Sequence, residues 1–488
     1  ALEDVPQPGL FLRRSLARAT VIDNYVYIEG GELSQDALTE PDLSITKWRK
    51  PHQVNSTISI DLSTSWTAAS VSMKATKKPD DVPRKGRAQI WTDLSEKAFY
   101  LWGGAKPAGF IERDPKTVWK FTTDGNGGGK WSKEVANNEI VFQSLRMGDR
   151  GAYANTNTTG FVLGGHVHRD TEVGQTGVTI IHGMAAFNMK TKTYEAISSP
   201  LGNDAFTAGI MQCVPQFGVD GKGLMVVLGG MLSATGSNDV KEMTALGFDR
   251  VVMFDPETKK SWEQKATGEI PPTPRSYFCH AGFKNKDGGF DIFISGGENV
   301  QRGQSRYSDA YILSLPGFFW KKVPDMPTGS RANAACVPVK NKQVLSIGGI
   351  GSGGDWDSKD ANPQGLMLFD MTALKWKYEY DALDDAPYES ADSIKEWYKN
   401  GSLANVQWSS SEVQKMFATS SDSPTPSGDT TADISPSGSS TPGSGENGGS
   451  STPIGAIVGG VVGGIAVLAL IVGMVWFLLR KKRQSQAE

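Results

Sequence analysis

Six apolar segments of this chain each end in a Gly-Gly pair: residues 25–31, 100–104, 161–165, 225–230, 292–297 and 344–349. Successive pairs lie 73, 61, 65, 67 and 52 residues apart. One unit used six times is the mark of a repeat architecture, and it constrains the fold more than any other feature. Gly-Gly at a strand end permits positive φ and lets neighbouring backbone come close.

The surroundings of the pairs repeat as well. Downstream runs an apolar strand ending in Asp or Asn, then a short turn, then an aromatic residue. Phe254-Asp255 leads to Trp262, Phe187-Asn188 to Tyr194, and Phe369-Asp370 to Trp376; the other units end at Trp66, Trp131 and Trp320. Upstream, Arg14, Arg87, Arg150, Arg275 and Arg331 each open a further strand, while the fourth unit begins near Asp204. Each unit therefore reads as four strands: Arg-led, Gly-Gly-terminated, polar-ended and aromatic-led. A single four-stranded sheet cannot bury both faces, but six stacked radially can.

This pattern closely resembles the kelch-type β-propeller. The expected fold class is all-β: a six-bladed kelch-type propeller with a disordered stalk and one C-terminal transmembrane helix. The expected division is a lead-in at 1–13, the propeller at 14–380 and an extension packing on it at 381–408. A Ser/Thr/Pro/Gly-rich stalk at 409–453, a membrane helix at 454–479 and a basic tail at 480–488 follow. The stalk has too little apolar surface to offset its ordering entropy. Residues 454–479 carry no charge and are long enough to span a bilayer. Arg480-Lys-Lys-Arg483 follows directly, which favours a cytoplasmic tail and an extracellular or lumenal propeller. That order is similar to a group of fungal cell-surface, cell-wall-anchored kelch proteins. The chain begins at Ala1, and we expect a signal peptide to have been removed. Sequons at Asn55, Asn157 and Asn400 fit a secretory route.

With 50 basic and 53 acidic residues and no basic stripe, nucleic-acid binding is not expected. The three cysteines, Cys213, Cys279 and Cys336, fall at similar places in consecutive first strands. They read either as small buried residues or as one disulfide and one free thiol. Ser393-x-x-Glu396 suggests a capping box for a short helix ending at Asn400-Gly401.

The loops joining strands two and three are long, at 32–56, 105–116, 166–181, 231–247, 298–309 and 350–364. Insertions gathered on one face mark a binding face. The candidates on it are Arg14, Arg87, Arg150, His166, His168, Arg275, Glu298, Asn299 and Arg331. The resemblance implies that such arginines contact acidic ligands; the alternative is that they hydrogen-bond backbone carbonyls around the channel. The same fold carries galactose oxidase, whose copper needs two His, two Tyr and a crosslinked Cys. Of the five histidines, His52, His166, His168, His182 and His280, only His166-Val-His168 has metal-compatible spacing, and no third ligand is indicated. The expected function is a cell-surface module binding an extracellular protein or glycan, without a cofactor, catalytic set or metal. An oxidase on the propeller face is the alternative. Gly455-x-x-x-Gly459 and Gly460-x-x-x-Gly464 allow a weak homodimer through the membrane helix. Protease added to intact cells should remove the propeller and leave the basic tail protected; a protected propeller contradicts this topology.

Overall fold

The computed structural model describes residues 2–36, 51–106, 116–303, 305–352 and 355–418. The expected stalk beyond 418, the membrane segment 454–479 and the tail 480–488 lie outside these residues. Among the described residues no helix is long and apolar enough to cross a membrane.

Six antiparallel blades are built from consecutive chain, each running in order from strand one to strand four; five are four-stranded, and blade 5 gains a fifth strand, Thr267–Gly268, parallel to its outer strand Phe319–Val323. Blade 3 is typical, with Ala152–Asn155, Thr159–Leu163, Met184–Asn188 and Thr193–Ile197. The first strands are Arg18–Ile22, Gln89–Asp93, Ala152–Asn155, Ile210–Val214, Cys279–Lys284 and Ala335–Val339. They pack side by side around a central axis, with the last against the first. Second strands such as Leu224–Leu228 are buried along their whole length, because a neighbouring blade covers each face.

The Gly-Gly pairs hook the blades together. In all six, the second glycine's N–H donates to the carbonyl of a residue in the segment just before the next blade's first strand. The acceptors are Lys85, Gly148, Phe206, Arg275, Arg331 and, closing the ring, Arg14, at 2.7–3.0 Å. The first glycine lies against that same carbonyl. A Cβ on Gly348 would be driven into the oxygen of Arg14, and one on Gly30 into that of Lys85. Both glycines of every pair have positive φ.

The ring closes without exchanging a strand between blades 1 and 6. Besides the Gly349–Arg14 bond, Trp66–Thr67 pairs with Glu379–Tyr380, and the Trp66 and Tyr380 rings stack at 4.9 Å. The side chain of Gln364 donates to the carbonyls of Ala68 and Val71. Two expectations shift here. Arg14 does not open a blade strand, since Phe11–Ser15 pairs instead with Glu32–Gln35. Trp66 is not on the outer strand of blade 1, which is Met73–Lys77.

The extension packs on blades 4 to 6. Tyr388 Oη donates to Asp291 Oδ2 at 2.7 Å, and Trp397 stacks on Phe319 at 4.8 Å. Packing continues past residue 408, because Ser411–Met416 is helical and buries Val413, Met416 and Phe417. The helix Asp392–Lys399 ends at Asn400-Gly401 as expected, but its N-cap is Ala391. Ser393 therefore lies inside the helix and forms no capping box. Its hydroxyl is buried without a hydrogen-bond partner among the described residues.

Gly348→Ala should destabilise the propeller by about 3 kcal/mol or more, read as the shift in urea midpoint, because strain and collision add. Gly125 also has positive φ but meets no atom within 4 Å. Gly125→Ala should cost about 1–2 kcal/mol. Equal costs would remove the hook from the account.

Candidate functional site

Two residues before each first strand the backbone turns through the left-handed region. The six residues are Leu16, Arg87, Arg150, Ala208, Tyr277 and Asn333, with φ between 54° and 65°. Five backbone hydrogen bonds of 2.9–3.3 Å run around them: Arg87 to Leu16, Ala208 to Arg150, Tyr277 to Ala208, Asn333 to Tyr277 and Leu16 to Asn333. This collar lies at the Gly-Gly end of the channel. The residues just before it pair with those just after each Gly-Gly, as in Asp149 with His166 and Ser276 with Glu298. The long loops are thereby tied to the collar.

The collar sorts the five sequence-selected arginines into two positions. Arg87 and Arg150 occupy it. Arg14, Arg275 and Arg331 sit two residues earlier and are buried, with 2%, 2% and 5% exposure. Arg275 forks onto Asp309 and also donates to the Gly296 carbonyl at 3.2 Å. Arg331 repeats this with Asp360 and the Gly348 carbonyl at 3.1 Å. Arg14 donates to the Asp4 carbonyl at 3.1 Å. These three hold strand ends together and are out of a partner's reach. The backbone-carbonyl reading fits them, while the ligand-face reading keeps only Arg87 and Arg150.

Glu298 is likewise buried, its Oε2 accepting from Arg306 Nε at 3.0 Å, and Asn299 is buried beside it in the same short strand. Asn157 and Asn400 are exposed, and Asn55 is partly buried. His52 lies beside Gln35, and His182 Nδ1 meets the Asn203 carbonyl at 2.8 Å, so both stand apart from the collar.

The remaining candidates converge on Asp149, a residue that sequence reasoning missed. Its side chain is fully buried. Arg150 Nε and Arg87 Nη1 lie 3.4 Å and 3.8 Å from one oxygen, and His168 Nε2 approaches the other at 3.4 Å. Burial alone would push this carboxyl up, but His168, Arg150 and Arg87 outweigh it and hold the carboxyl below its ordinary range. Arg87 also reaches across the axis, its Nε 3.3 Å from Asn333 Oδ1 and its guanidinium 5.8 Å from the Tyr277 ring centre.

Arg150 approaches His166 Nδ1 at 2.6 Å. Arginine only donates, so Nδ1 accepts and the imidazole proton sits on Nε2. Burial, reinforced by Arg150, pushes His166 down to about 3, so it is neutral. Its Nδ1 lone pair is thus engaged by a guanidinium, which does not suit a metal ligand. No three His, Cys, Asp or Glu side chains converge as a metal site among the described residues.

Cys279 and Cys336 form a disulfide between the first strands of blades 5 and 6, and Cys213 is free. Of the two readings of the cysteines, the bridge plus one thiol is observed.

No family model matches the chain. A "Kelch repeat-containing protein" of Arthroderma benhamiae is 24% identical, over 97% of this chain and 76% of that protein. A solved structure described as "Structure of YjhT" aligns with a TM-score of 0.50 over 77% of this chain and 99% of its own, at 14% identity. That likeness bears on fold, and it agrees with the repeat and the blade topology.

His166 and His280, which burial pushes to about 3 and about 4, stay neutral in the fold. In the unfolded chain both return to about 6.5. The unfolded state then binds more protons as pH falls below that value, so stability declines on acidification. The slope reaches up to about 1.4 kcal/mol per pH unit for each group. His166→Gln should remove one of these two contributions and flatten stability between about pH 6 and pH 5. An unchanged slope in urea titrations would contradict the neutral assignment.

Proposed function

We propose that this kelch-type propeller is a non-enzymatic binding module that presents its long-loop face to an extracellular protein or glycan bearing an acidic group. The collar carries the reading. Arg87 and Arg150 keep 22% and 24% of their side chains exposed, and both press on the single buried carboxylate of Asp149. Both guanidiniums share that one carboxylate, with Glu32 also interacting with Arg87, and their exposed N–H groups offer charge-assisted hydrogen bonds to a carboxylate or sulfate arriving from outside. The bases of the loops are tied to the collar by backbone pairing.

The wider setting belongs to the same proposal. An uncharged segment at 454–479 before Arg480-Lys-Lys-Arg483 supports a single membrane anchor with the propeller outside the cytoplasm. The Ser/Thr-rich stretch before it would then hold the propeller off the membrane. Asn157 and Asn400 are exposed, which suits N-glycosylation.

The test is to screen acidic peptides and a glycan array with the ectodomain, then repeat the hits with Arg87→Ala and Arg150→Ala. Removing one charge-assisted hydrogen bond to the ligand should cost about 1.5–3 kcal/mol, roughly ten- to a hundredfold in Kd. Hits that survive both changes but vanish when the opposite-face loop 216–223 is altered would place the binding face on the other side.

A further inference from the structure

Below the collar the central channel widens toward the opposite face. A small chamber of about 70 Å³ lies directly under the collar, and a cavity of about 590 Å³ continues from it. The two share Ala19, Tyr153, His280 and Cys336 in their walls. Neither is lined by an Asp or a Glu. The charged residues at the chamber are Arg18 and Arg150, and Arg150 is already engaged by Asp149 and His166.

Arg18 has no acidic counterpart. Its Nε donates to the Ala88 carbonyl at 3.0 Å, and its guanidinium lies 5.6 Å from the centre of the Tyr153 ring. It forms no ion pair among the described residues. Tyr153 and Tyr277 stand on the chamber wall with no side-chain hydrogen bond to the described residues, so their hydroxyls are available donors. His280 completes the wall, neutral because burial pushes it to about 4, with its N–H engaged by the Met211 backbone. A cation in a narrow, partly desolvated channel without a countercharge draws an anion, and hydroxyl groups complete its coordination.

We propose that this chamber binds a small oxyanion, a carboxylate or a phosphate, held by Arg18 with Tyr153 and Tyr277 and entering from the face opposite the long loops. The shared chemistry is a compact anionic oxygen group. The wider cavity is lined by uncharged groups, including Thr20, Thr92, Asn155 and Gln212, and has room for the rest of a small molecule bearing that group. The site is separate from the loop-face reading and does not depend on it.

The test is calorimetric titration of the full-length chain with sodium acetate and, separately, sodium phosphate, in a buffer free of other oxyanions. At least one should bind saturably at one per chain, and their ratio tells carboxylate from phosphate. Arg18→Gln should weaken binding at least tenfold, and Tyr153→Phe severalfold. Arg18→Lys should retain part of it. Arg169, whose side chain is 84% exposed, is the control, and Arg169→Gln should change nothing. Absence of saturable binding by either anion overturns the proposal. So does unchanged affinity in Tyr153→Phe together with a folded Arg18→Gln. If Arg18→Gln does not fold, Arg18→Lys and Tyr153→Phe decide, and unchanged affinity in both is equally fatal.

Discussion

One hydrogen bond, made six times, underlies this molecule: the N–H of the second glycine of each pair to a carbonyl just before the next blade's first strand. It fixes the angle and spacing between neighbouring sheets. It also demands the absence of two side chains, because a Cβ on the first glycine would collide with the carbonyl that the second one binds. The last repeat of this bond, Gly349 to Arg14, joins the two ends of the propeller. Many small contacts around Trp66, Tyr380 and Gln364 then seal the seam, so no strand has to cross from one blade to complete another.

The collar is a direct result of that spacing. Six residues held at positive φ lie within reach of one another across the axis, and five backbone bonds link them. Side chains from separate blades can then share one buried charge. Asp149 stays ionised although it is inaccessible to solvent, since two guanidiniums and His168 surround it. Removing either arginine leaves that carboxylate less compensated, so partner-binding changes at the collar should always be read beside stability. The arrangement holds both arginines against Asp149.

The repeat was legible in the sequence because its signals are local: apolar strands, a glycine pair and an aromatic after a polar turn. What was not legible depends on register. Arg87 and Arg275 both precede a first strand, yet they sit two positions apart relative to the left-handed turn. One faces the axis and the other is buried against Asp309. Asp149 was missed because nothing near it in the chain announces that Arg87, 62 residues earlier in the sequence, will contact it. Trp66 fits the aromatic position of the repeat, but an insertion in blade 1 gives the outer strand to Met73–Lys77 and leaves Trp66 to pair at the seam. The capping box at Ser393 failed for a similar reason. Ser390 is hydrogen-bonded to Asp291, and the chain has already entered the helix by the time it reaches Ser393.

The most direct test of this account is native-state hydrogen exchange at the amides of Gly31, Gly104, Gly165, Gly230, Gly297 and Gly349. If the six hooks form one closed ring, all six should exchange only through global unfolding and share one free energy of opening. If Gly349 exchanges much faster than the other five, the ring opens at its seam, and the collar on which the site rests is not a standing feature of the molecule.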